Sequence, residues 1–67
     1  HMDDQEILRH RLADLESEHR DLDQVIARLT DGGPFDQLQV QRLKKRKLLL
    51  RDQIEHIRNR LIPDVIA

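Results

Sequence analysis

The apolar residues of this chain fall in two series with helical spacing. The first is Leu8, Leu12, Leu15, Leu22, Ile26 and Leu29, with steps of 4, 3, 7, 4 and 3. Alternating threes and fours mark a seam along one side of an α-helix. The doubled step leaves one polar seam position, His19. The second series is Val40, Leu43, Leu50, Ile54, Ile57 and Leu61, again with one gap, at Lys47. Between them lies TDGGPFD, residues 30–36, which holds both glycines and one of the two prolines.

Start and stop signals bound the two series. Asp3 with Glu6 and Asp36 with Gln39 have the spacing of capping boxes, and Phe35 with Val40 that of a hydrophobic staple. Gly32 is suited to a left-handed helix end, and Pro34 blocks continuation. The pattern predicts a helix over 4–30, a turn over 31–36 and a helix over 37–62. Pro63 then starts a short tail, PDVIA, over 63–67. Residues 1–3 precede the first helix, His1 and Met2 reading as a cloning residue ahead of a start methionine.

A short loop between two long helices favours an all-α antiparallel hairpin, coiled-coil-like in its packing. One register satisfies both seams and the turn, with facing residue numbers that sum to 69. It layers Leu8 with Leu61, Leu12 with Ile57, Leu15 with Ile54, and His19 with Leu50. Leu22 then meets Lys47, Ile26 meets Leu43, and Leu29 meets Val40. Beside the seam this register faces Asp23 with Lys44, Glu16 with Arg51, Glu18 with Gln53, and Arg11 with Arg60. The Lys47 ammonium can also reach Asp23 while its methylenes cover Leu22.

Charge supports that pairing. Residues 3–31 hold nine acids and four bases, and residues 36–62 hold three acids and eight bases. The first helix is therefore the electrostatic complement of the second. The basic run RLKKRKLLLRDQ, residues 42–53, belongs to this balance. Within it Lys44 is a flank residue, Arg42 and Lys45 point outward, and Arg46 lies on the other flank. Left without a partner, Arg42, Lys45 and Arg46 are the candidates for phosphate contacts in an alternative, nucleic-acid-associated reading. That reading is disfavoured by a net charge of −1 and by a single Phe with no Trp or Tyr for base stacking.

Sixty-seven residues make one domain, near the size at which a single core holds a chain folded. There is no cysteine, so disulfides are excluded and association is the remaining source of burial. Ile7, Val25, Leu48, Leu49 and Ile62 lie off the seam, and Val65 and Ile66 extend the apolar surface into the tail. Surface of this kind marks an interface. The expectation is a homodimer forming a four-helix bundle, or a higher assembly, with a further protein partner of unknown identity.

No constellation supports catalysis or a cofactor. No nucleophile, base and orienting acid converge, and the glycines sit in a turn. His19 and Lys47 read as polar seam residues that fix register. A pH-responsive assembly through His19 is a further alternative, because positive charge would accumulate beside Lys47. His10 and Asp14 share an i, i+4 spacing, which is too little for a metal site. No apolar stretch approaches the ~20 residues of a membrane span. The acidic N-terminus has no signal-like core, so a cytoplasmic location is expected.

The blocks SEHRDLDQVIARL and QVQRLKKRKLLLRDQI resemble the YdcH-like family of small bacterial helical-hairpin proteins of unknown function. The resemblance covers about residues 15–67, including the tail LIPDVIA, with Arg51 and Gln53 where Lys and Glu are more usual. It implies a bacterial cytoplasmic protein and draws attention to Glu18, His19, Arg20, Leu22, Asp23 and the run Arg42 to Leu48. It brings no activity. The function expected is a non-enzymatic structural or adaptor module.

Overall fold

Each helix begins where a carboxylate can satisfy otherwise unpaired backbone amides. In the computed structural model, which describes residues 3–61, α1 spans Asp4–Asp31 and α2 spans Gln37–Arg60. The Glu6 amide donates to Asp3 Oδ1 at 2.8 Å. The Leu38 and Gln39 amides donate to Asp36 Oδ1 at 3.0 and 3.2 Å. Near the end of α1 the Thr30 hydroxyl donates to the Ile26 carbonyl at 2.9 Å.

The two helices pack against each other, and the described residues contain no strand. The longest dimension is 48 Å. A helix of 28 residues is about 42 Å long, whereas an uninterrupted rod of both helices would approach ~80 Å. The chain therefore folds back as a hairpin.

Both ends of the turn differ from the sequence expectation. Gly33, not Gly32, takes the positive φ, 104° against −96°. The residue before a proline is pushed out of the helical region, and glycine alone crosses freely to positive φ. Reversal therefore falls at Gly33, directly ahead of Pro34. The staple is incomplete as well. Val40 is buried, but Phe35 stays 40% exposed.

Helix α2 ends two residues before the predicted position. Leu61 has left helical geometry, with ψ at 140°, and its amide bonds to the Ile57 and Arg58 carbonyls at 3.1 and 3.3 Å. Pro63 explains the early stop. It has no N–H for the Asn59 carbonyl and disfavours helix in the residue before it.

The core is the predicted seam. Leu15, Leu50, Ile54 and Ile57 form the main buried cluster, with Leu8, Leu12, Leu22 and Leu61 packed against it. Ile26 and Val40 are buried outside that cluster, toward the turn. Lys47, half-buried, lies between the two groups along α2. Full burial of each such aliphatic side chain stabilises by about 1.5–3 kcal/mol.

Candidate functional site

Packing the seam inward leaves a groove along each flank of the hairpin. Among the described residues three ion pairs cross between the helices. Glu16 Oε2 accepts from Arg58 Nη2 at 2.6 Å, and Asp23 Oδ1 accepts from Lys47 Nζ at 2.6 Å. Both of these lie along the first groove. Glu18 Oε1 accepts from Arg46 Nη2 at 2.9 Å on the opposite flank, along the second.

These are not all the partners that direct layering assigns. Glu16 bonds Arg58 rather than Arg51, which instead pairs with Glu55 within α2 at 3.6 Å. Glu18 bonds Arg46 rather than facing Gln53, and Asp23 bonds Lys47 rather than Lys44. Helical side chains lean toward their own N-terminus. In an antiparallel pair these leans converge, which favours partners whose numbers sum above 69. Glu16 and Arg58 exceed that sum by five, and Asp23 and Lys47 by one. Glu18 is the exception. Its favoured neighbour, Gln53, carries no charge, so the long Arg46 side chain reaches it from the other direction.

The first groove, about 810 Å³, is lined by Glu16, His19, Arg20 and Asp23 of α1 and by Lys44, Lys47, Leu48, Arg51, Ile54, Glu55 and Arg58 of α2. Its cations outnumber its acids. Lys47 holds the Asp23 carboxyl below the usual aspartate value, first through its hydrogen bond and then through its charge. His19 adds a smaller electrostatic contribution, and burial opposes the shift. His19 is half-buried, as expected of a seam residue, and lies beside this pair.

The second groove, about 510 Å³, is lined by Ile7, Arg11, Asp14, Leu15 and Glu18 of α1 and by Arg46, Leu49, Leu50 and Gln53 of α2. Val25 stands two helical turns beyond Glu18, on the same flank. A third groove, about 330 Å³, brings Arg11 and Arg60 together near the open end of the hairpin, as the register anticipates.

The three consecutive leucines separate. Leu50 is 4% exposed in the seam, Leu48 is 56% exposed in the first groove, and Leu49 is 52% exposed in the second. Ile7 and Val25 are also exposed. Ile62, Val65 and Ile66 lie outside the described residues.

The basic run divides in the same way. Lys44 and Lys47 face the first groove and Arg46 the second. Arg42 and Lys45 are exposed, with no ion pair among the described residues. Arg42, Lys45 and Arg46 therefore form no common cradle with Lys44 and Lys47. Sequence reasoning missed Leu38, which is among the exposed large apolar residues. It falls outside the seam spacing, and its nearness to the turn was the available signal.

Among the described residues no group of three or more His, Asp or Glu is placed to hold a metal, and no helix is long and apolar enough to cross a membrane. A family model for a protein of unknown function, DUF465, matches residues 12–58. The chain belongs to the DUF465 family. The matched segment takes in both seams except Leu8 and Leu61, together with the turn and all three cross-helix ion pairs, so the DUF465 segment covers most of the hairpin. The YdcH-like resemblance is consistent with this family. Nothing among curated proteins or solved structures matches the chain.

Proposed function

We propose that this DUF465 hairpin is a non-enzymatic interaction module that self-associates through its second groove. The observation that carries this reading is the placement of Ile7 and Leu49. Both are about half exposed, and they line one groove above the buried Leu15 and Leu50. Val25 lies on the same flank. Exposed apolar side chains gathered on one face mark an interface.

Charge supports a second copy as the occupant. On this flank α1 presents Asp14 and Glu18 after a single cation, Arg11, and α2 presents Arg46 with Arg42 two turns before Leu49. A two-fold axis along the hairpin lays α1 of each copy over α2 of the other. Acidic and basic stripes then meet, giving a four-helix bundle with antiparallel neighbours.

Light scattering over a concentration series tests this. Wild type should approach twice the 8.0 kDa chain mass, and Leu49→Glu should remain at the chain mass. A wild-type chain that stays monomeric throughout removes the proposal. The alternative, phosphate contacts through Arg42, Lys45 and Arg46, has less support, since Arg46 is already bonded to Glu18.

A further inference from the structure

We propose that the first groove docks an acidic amphipathic helix of another protein. This rests on the reading of the hairpin as an interaction module, and not on which face self-associates. The groove runs between two antiparallel helices, which is where a third helix packs. Leu48 stands 56% exposed on the α2 bank, and Ile54 is buried at the floor. An apolar stripe on the incoming helix would cover Leu48.

Charge selects the class of partner. Lys47 and Arg58 are held by carboxylates at 2.6 Å, and Arg51 only by Glu55 at 3.6 Å. Arg20 on α1 and Lys44 on α2 have no ion-pair partner among the described residues. Each bank thus offers an unpaired cation, and the apolar lining between them, Leu48 and Ile54, comes from α2 alone. A helix with carboxylates flanking its apolar stripe meets both. A phosphate backbone fits worse, because it offers nothing apolar to cover Leu48. A second copy also fits worse. Two such grooves pressed together would bring five cations and only three acids from each copy into one interface, with the Arg20 of each copy against the Lys44–Arg51 bank of the other.

The test uses the full isotope-labelled chain and a synthetic helical peptide of about three heptads, with Leu at a and d and Glu at e and g. A control peptide carries Lys in place of each Glu. Amide shifts should centre on Arg20, Lys44, Leu48 and Arg51, and the Lys peptide should not bind. Leu48→Ala should weaken binding about tenfold. Arg20→Glu, on the other helix and fully outside the core, should weaken it comparably, with helicity checked by circular dichroism. The proposal is overturned by any of four results: no saturable binding, equal binding of the Lys peptide, shifts centred on Ile7 and Leu49, or displacement of the peptide by duplex DNA at lower concentration. A fall in molar mass for Leu48→Ala would give the groove to a second copy and overturn it too. Absent peptide binding in a chain that still dimerises overturns the groove alone. A monomer that binds the peptide overturns self-association alone.

Discussion

Replacing each of Leu48, Leu49 and Leu50 by alanine makes the same chemical change at three adjacent positions, and the hairpin predicts three different outcomes. Leu50 is 4% exposed and packs with Leu15, Ile54 and Ile57. Removing it loses the transfer energy and leaves a cavity, together about 2–5 kcal/mol. A two-helix hairpin this small stands at or below the low end of the ~5–15 kcal/mol range of domain stabilities. Leu50→Ala should therefore leave the chain largely unfolded in dilute solution.

Leu48 and Leu49 keep about half their surface in water. Their truncation should cost about 1 kcal/mol or less, partly offset by the better helix propensity of alanine. Urea denaturation followed at 222 nm, at low micromolar and again at high micromolar chain, measures all three. In dilute solution Leu48→Ala and Leu49→Ala should unfold close to wild type. On the proposed self-association the wild-type midpoint should rise with concentration by mass action, and Leu49→Ala should lose that rise while Leu48→Ala keeps it. Equal costs at all three positions would refute the assignment of faces. A Leu50→Ala cost below about 1 kcal/mol would refute the seam itself.

Two further substitutions examine local features. Gly33→Ala should destabilise by about 1 kcal/mol because its φ is positive, whereas Gly32→Ala should be near neutral, with φ negative and open space around it. Thermal melts of the pair decide this, and the reverse order would contradict the turn geometry. The folded Asp23 carboxyl titrates below its unfolded value, so its stabilising contribution is complete above the ordinary aspartate range and is lost as pH falls through the folded value. Urea midpoints from about pH 6 to pH 2 should fall less steeply in Lys47→Met than in wild type, and overlaid profiles would show that the ion pair contributes nothing.

Much of this hairpin was legible from spacing alone. The six buried residues are all members of the two seam series, because burial of an amphipathic helix is decided by periodicity. The turn was legible from proline and glycine chemistry, though not which glycine would cross to positive φ. The flank partners of Glu16 and Glu18 were not legible by layering. Side-chain lean displaces a contact by several residues from the level of its own Cα. Including that lean would have chosen Arg58 for Glu16, since both side chains lean into the same space. It would not have found Arg46 for Glu18, where the favoured position simply lacks a charge. Leu48 and Leu49 were legible as exposed but were assigned to one surface. Successive helical residues are about 100° apart, which places them on opposite flanks.

That separation bears on the proposed self-association. Leu48 follows the seam residue Lys47, and Leu49 precedes the seam residue Leu50, so the pair brackets the seam from either side. One symmetric dimer contact can cover one of them and must leave the other. If both flanks took further copies of the chain, each copy would offer two self-complementary faces and growth would not stop at a dimer. A closed assembly requires that the faces differ in what they accept. They do differ in chemistry. The flank of Leu49 is lined by two cations and two acids, whereas the flank of Leu48 is lined by five cations and three acids, so on the proposed reading only the first is charge-balanced against its own copy. The basic run is what makes the two faces unequal. Lys44 and Lys47 serve one flank and Arg46 the other, so three of the four consecutive cations divide between two distinct electrostatic surfaces, with Lys45 on neither.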